Sequence, residues 1–228
     1  MKFHQLFTLF IVLVFLVFPP IFMTQHNEIE NQTYSQNFNR FSIFTIVISL
    51  IWSIFLFFYT EKKEEKLTRS SLRISLLSFI IIFYISCIFQ QVSIFFNINF
   101  DNQKIVISST EKILNSIQII FLCIYEEVLY RMYLYLSFKK IFSYISNKFF
   151  TKNIIFQKKV EELVSTFVVA ILFALAHLYS GIIHVMFAFL ASLVFSIVYK
   201  KTKNIIFPII SHVLYNMLIF LTLTKSGY

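Results

Sequence analysis

Apolar runs of about 18 residues or more recur along this chain, each long enough to cross a hydrocarbon core of ~30 Å at ~1.5 Å per helical residue. No other feature of the sequence restricts the fold as strongly. A segment that long in lipid must satisfy its own backbone hydrogen bonds, which leaves helices as the spanning element here, because the runs show none of the strict alternation of a barrel strand. The composition agrees: 58% of the residues are hydrophobic and 19% aromatic, against 14% charged, 2 Gly and 3 Pro. Those proportions exclude a disordered chain, a collagen-like repeat and an ordinary water-soluble domain.

Apolar stretches between polar punctuation predict spans at Leu6 to Met23, Phe41 to Tyr59, Leu72 to Phe96, Ile113 to Leu136, Leu163 to Tyr179, Ile182 to Tyr199 and Ile205 to Leu223. The first carries Lys2 ahead of it as a signal peptide would. Pro19, Pro20 and Ile21 follow its apolar stretch where small residues would mark cleavage, so it reads as a retained span. The expected fold is therefore an all-α, polytopic bundle of about seven spans. Residues 1–112 form an amino-terminal region of three spans and residues 113–228 a four-span core. Neither cysteine, Cys87 or Cys123, lies in a disulfide or zinc-ribbon pattern.

Orientation follows from the 20 Lys and Arg residues. Lys2 precedes the first span; Lys62, Lys63, Lys66, Arg69 and Arg73 follow the second. Lys139, Lys140, Lys148, Lys152, Lys158 and Lys159 follow the fourth, and Lys200, Lys201 and Lys203 the sixth. The alternate regions hold only Arg40, Lys104, Lys112 and Lys225. This alternation puts the amino terminus and the basic loops in the cytoplasm and the carboxyl terminus outside. The formal net charge of +9 is thus a topology signal. No soluble module offers a basic face to nucleic acid, and the expected surroundings are a lipid bilayer, the cytoplasmic membrane of a bacterium by the Ile-, Phe-, Lys- and Asn-rich usage. From Ser137 to Lys159 lysines mix with Ile and Phe. That stretch suits either an amphipathic element on the anionic inner leaflet or a solvated loop with buried anchors.

The informative residues are those that cost energy to insert. The fourth span contains Glu126, Glu127 and Arg131. Each charge costs roughly 2.5 to 3.5 kcal/mol near a helix centre on a translocon scale, so all three must be paired or hydrated. Glu127 and Arg131 stand four residues apart with the acid first, the favourable order for an ion pair on one helical face. Glu126 is turned about 100° away and is left over for acid–base work. A purely structural cluster locking helices together is the alternative. Phe173 and His177 stand one turn apart in the fifth span, as do His212 and Asn216 in the seventh. Two intramembrane histidines, one with an amide on its stripe, suggest a site beyond ordinary packing. His184 has no polar companion at helical spacing and reads as interfacial or core. Cys123, one turn before the acids, reads as a small hydrophobe rather than a nucleophile. Ser211 and His212 are adjacent and point apart.

Glu-Glu-x-x-x-Arg at Glu126 to Arg131, Phe-x-x-x-His at Phe173 to His177 and His-x-x-x-Asn at His212 to Asn216, in that order on three spans and with Pro208 just before His212, resemble the CPBP intramembrane protease family. That family includes CAAX prenyl endopeptidases and lysostaphin-resistance and bacteriocin-processing-related proteins. The resemblance covers roughly Ile113 to Leu223. It implies that Glu126 activates a water for attack on a peptide carbonyl, that His177 helps to position or share that proton, and that His212 and Asn216 donate hydrogen bonds to the oxyanion. Glu127 and Arg131 would support the site. Met132 stands where many members carry Gly, which removes no reactive group. The expected substrate is a peptide or a membrane protein. No cofactor is expected; were zinc bound, Glu126, His177 and His212 would be its ligands. The competing readings are a non-catalytic immunity or scaffold protein, or a transporter whose carboxylates line a path.

The topology is testable directly. An activity reporter fused after Tyr228 is expected to report the outside and one inserted at Lys148 the cytoplasm. A cytoplasmic signal from Tyr228 would remove one span from the count.

Overall fold

The computed structural model describes residues 3–14, 34–59, 68–96, 105–149 and 154–226. Much of the first expected span and the basic stretch at Lys62, Lys63 and Lys66 lie outside these. The described chain runs α1 (Phe3–Val12), α2 (Tyr34–Tyr59), α3 (Arg69–Phe95), β1 (Ile105–Ile107), α4 (Ser109–Glu127) and a π-helical segment (Val128–Leu134). It continues through α5 (Tyr135–Phe149), α6 (Ile154–Leu175), a 3-10 turn (Leu178–Ser180), α7 (Ile182–Thr202), α8 (Ile206–Leu223) and β2 (Thr224–Ser226). The protein is helical, as expected, apart from one pair of three-residue strands that the apolar pattern did not foretell.

Among the described residues four helices are long and apolar enough to cross a membrane: Arg69–Phe95, Ser109–Asn147, Ile182–Thr202 and Ile206–Leu223. A shorter apolar helix covers Ile46–Phe58. The fifth expected span is redrawn. Helix α6 begins at Ile154, taking in Lys158, Lys159, Glu161 and Glu162, and ends at Leu175, short of Tyr179. It tightens into the 3-10 turn, where His177 N–H donates to Ala174 O (3.0 Å), and Gly181 follows at φ 93°. That left-handed backbone is one that glycine adopts without a Cβ penalty.

The chain forms two compact units, one of residues 1–25 and 130–197 and the other of 26–129 and 198–228. In the second, α3 is inverted relative to a helix of a soluble protein. Ser71, Ser75, Ser78, Ile82 and Ser93 are its buried residues, while Leu72, Leu76, Leu77, Ile80, Ile81 and Tyr84 are exposed. Exposed apolar side chains on such a scale are a liability in water and the ordinary surface of a helix in lipid, where small polar residues line helix contacts instead.

Both ends of α4 and α8 are defined by local chemistry. Ser108 and Glu111 form a reciprocal capping box at the start of α4: Glu111 N–H donates to Ser108 Oγ (3.2 Å) and Ser108 N–H to Glu111 Oε2 (2.9 Å). Pro208 falls in the first turn of α8, where a missing N–H matters least. The Asn204 carbonyl that a helical N–H at position 208 would have reached accepts from Thr202 Oγ1 instead (3.2 Å). Asn204 Oδ1 in turn accepts from Ile206 N–H (2.9 Å). Beyond the helices, β1 pairs in parallel with β2 in the register Ile105 to Thr224. The strand entering α4 therefore lies beside the strand leaving α8.

The first unit is organised around the α5–α6 hairpin. Its polar groups answer one another: Ser146 Oγ donates to Glu161, Lys139 pairs with Glu162, and Gln157 Nε2 donates to Ser146 Oγ (2.8 Å). These partners are why α6 starts inside a charged stretch that hydropathy alone treats as a loop.

Candidate active site

In the second unit the end of α4 lies against α8 in a two-rung ladder. Glu127 and Cys123 are one turn apart on α4, and His212 and Asn216 are one turn apart on α8. The His212 Nδ1–H donates to Glu127 Oε1 at 2.9 Å, and Asn216 Nδ2–H donates to Cys123 Sγ at 3.4 Å. Residue numbers rise on one helix as they fall on the other, so α4 and α8 are antiparallel at the rungs.

The other nitrogen of His212 meets the second acid, with Nε2 at 3.7 Å from Glu126 Oε2. One imidazole thus faces a carboxylate at each nitrogen, and the two carboxylates differ in enclosure. The Glu127 side chain is 0% exposed and that of Glu126 26%. Glu127 is committed to a short hydrogen bond in a sealed position. Glu126 is half-buried, and its contact with the ring exceeds a hydrogen bond, which leaves its oxygens able to take a proton from another group. Asn216 has two N–H groups, and only one is used on Cys123.

The remaining motif residues assemble in the first unit. Arg131 is buried, with its guanidinium carbon 4.6 Å from the ring centre of Phe173, 5.4 Å from Phe195 and 6.0 Å from Tyr130. Its Nη2 donates to Ser192 O at 3.5 Å. A guanidinium is more weakly hydrated than an ammonium and stacks on aromatic faces, so this cage suits Arg better than Lys. Phe173 also packs edge-on against Tyr130 (5.0 Å) and against His177 (4.7 Å). His177 lies beyond the helix, yet its Nδ1 sits 2.8 Å from Phe173 O. A carbonyl only accepts, so Nδ1 carries the hydrogen and Nε2 of the neutral ring is an acceptor.

The α-helical repeat changes at Val128, where the backbone becomes π-helical and residues five apart take over the role of those four apart. The partner that sequence reasoning missed for Glu127 is His212. It also missed Phe195 and Tyr130 around Arg131, and the contact between Cys123 and Asn216. Nothing in one sequence states which of two adjacent acids meets a helix 85 positions away.

Residues 112–218 match the family model described as type II CAAX prenyl endopeptidase, Rce1-like. That segment of the chain is similar to the Rce1-like family. It is a family of proteases, and the match runs from the first turn of α4 into α8, taking in Glu126, Glu127, Arg131, His177, His212 and Asn216. Helices α1 to α3 lie outside it. No curated protein and no solved structure matches the chain. The match to that protease family over residues 112–218, together with the four apolar helices among the described residues, fits an integral membrane protein.

The different enclosure of the two acids leads to a prediction about folding. Glu127→Gln and Arg131→Leu should each lower the yield of monodisperse protein in detergent, because each disturbs a buried charge whose surroundings are built for it, a loss on the order of 3 to 5 kcal/mol when a partner is stranded. Glu126→Gln should express like the parent chain. Equal loss for all three would contradict the distinction.

Proposed function

We propose that the chain is an intramembrane endopeptidase in which Glu126 removes a proton from water as that water attacks a peptide carbonyl. His212, as the imidazolium with both ring nitrogens protonated, through Nε2–H, and Asn216, through its second Nδ2–H, then donate to the oxyanion, and protonated Glu126 returns its proton to the leaving amine. The observation that carries this reading is the single imidazole set between two unequal carboxylates, with Asn216 one turn further along the same helix. Glu127 fixes the ring by its Nδ1–H and so presents Nε2 to the side of Glu126. The role of His177 in holding or sharing the water's proton rests on the family resemblance, and the acceptor character of its Nε2 fits it.

The reaction uses no metal. In this reading His212, one turn from an amide on the same helix, serves as a hydrogen-bond donor rather than as a metal ligand. Substrates are peptides or small membrane proteins presented from the bilayer of a bacterial cytoplasmic membrane. The chain crosses that bilayer about seven times with its amino terminus inside, the first three spans forming a region distinct from the catalytic core that starts near Ile113. The parallel pairing of β1 with β2 supports the count in one respect, since it puts the start of the fourth span and the end of the seventh on the same side.

Purified protein screened against a peptide library should cleave a subset of peptides, and Glu126→Gln should abolish that cleavage while the protein stays folded. His212→Ala and Asn216→Ala should each slow the chemical step by about 10²- to 10³-fold, the usual cost of one oxyanion donor. Full activity in Glu126→Gln would favour a scaffold or transport role for the carboxylates. In a separate measurement, activity should survive prolonged treatment with strong chelators. Loss of activity with release of one equivalent of zinc, restored by added zinc, would replace the metal-free reaction with a zinc-dependent one.

A further inference from the structure

Helix α8 carries His212 and Asn216 on the face toward α4. Turned about 100° from them, Ser211 and Tyr215 meet α3. Ser211 Oγ lies 2.6 Å from Ser78 Oγ, 3.0 Å from Ser75 Oγ and 2.9 Å from Ser75 O, and Ser75 Oγ donates to Phe207 O at 2.9 Å. All three serines are buried. Ser211 Oγ also lies 3.0 Å from the Phe207 carbonyl of its own helix, and Ser78 Oγ 2.7 Å from the Ser75 carbonyl of its own, so the hydroxyl protons are shared between contacts within and across the helices. One assignment that uses each proton once sends Ser75 to Phe207 O, Ser78 to Ser211 Oγ and Ser211 to Ser75 O, all across the interface. Further along, Tyr215 Oη–H donates to Ser86 Oγ at 3.0 Å. None of the α3 residues lies in the segment that matches the family, and neither the chemistry proposed above nor the family match gives them a task.

We infer that this hydroxyl cluster is a positioning device for the oxyanion donors: Ser75 and Ser78 of α3 grip Ser211 and thereby set the rotation and height of α8, and with them the placement of His212 and Asn216 against α4. The inference rests on the endopeptidase reading for what His212 and Asn216 do, but its geometry does not. Three features single the cluster out from ordinary serine back-bonding in a membrane helix. Besides the contacts of Ser78 and Ser211 with carbonyls of their own helices, it has bonds that join helices more than 130 positions apart in the chain, whereas Ser53 donates to the Ser49 carbonyl of its own helix. The central serine directly precedes the histidine that holds both carboxylates. The grip also reaches backbone, at Phe207 O and Ser75 O, which fixes the axial position of α8 as well as side-chain rotamers. Helix contacts made by small residues alone allow sliding by fractions of a turn. Directional bonds to two carbonyls do not, and a displacement on the order of 1 Å at a catalytic group can cost ~10²-fold in rate.

The test separates positioning from folding and from packing. Ser211→Ala and the Ser75→Ala/Ser78→Ala double variant keep the close helix approach and remove only hydroxyls. Per unit of folded protein, each should lower kcat by about tenfold to a hundredfold with KM within about twofold, and Ser53→Ala should match the parent chain. In a His212→Ala background, Ser211→Ala should cost little more, because the residue through which it acts is already gone. Unchanged kcat in both hydroxyl variants would overturn the inference, as would a loss that persists in full without His212. Those failures are distinct from failure of the endopeptidase reading, which would show as turnover surviving Glu126→Gln.

Discussion

A buried carboxylate in an apolar bundle has to be answered by something, and in this protein the answer to Glu127 is His212. That one hydrogen bond joins α4 to α8, places a proton on Nδ1, and turns the other ring nitrogen toward Glu126. Charges are costly in lipid, so the acid and the ring specify their helix pair more sharply than aliphatic contacts could. The rest of the second unit can be read as support for it. The capping box starts α4 at a defined residue, and Pro208 with the Thr202–Asn204 turn does the same for α8. The strand pair then ties the entry to α4 to the exit from α8.

The same economy of polar groups explains α3. A helix that shows leucine and isoleucine to its surroundings and buries serine is poorly suited to water and well suited to a bilayer, in which interhelical hydroxyl bonds and close approach take over from hydrophobic association. The first unit follows the rule at its own centre. Arg131 is enclosed by three aromatic rings and a carbonyl, and His177 is oriented by a carbonyl of the turn below it. Each costly group is thus met by a partner that also restricts its geometry, which is what a catalytic constellation requires of its supports.

Much of this was legible in the sequence. Long apolar runs gave the helical membrane architecture, and the cost of Glu126, Glu127, His212 and Asn216 in such runs marked them before any coordinates. The order of the three motifs pointed to the protease family whose model residues 112–218 match. What was not legible had physical causes. Hydropathy reads α6 as starting near Leu163, because it cannot see that Ser146 and Lys139 answer Glu161 and Glu162 from the neighbouring helix. The π-helical segment that starts at Val128 leaves no trace in an apolar pattern. The serines at 71, 75 and 78 drew no attention in the sequence, because hydroxyls cost little in a helix and do not name a partner, and Ser211 lies 133 positions from Ser78.

The central claim is that a carboxylate activates water directly, with no covalent enzyme intermediate, although a thiol lies one turn away at Cys123. Product partitioning tests this most directly. A cleaved peptide is incubated with excess protein in the presence of hydroxylamine, and the carboxyl-side fragment is analysed by mass. Direct attack by water predicts the free acid alone and no burst of the amine fragment. A hydroxamate product, or a burst equal to the enzyme present that is lost in Cys123→Ser, would show an acyl-enzyme and contradict the account.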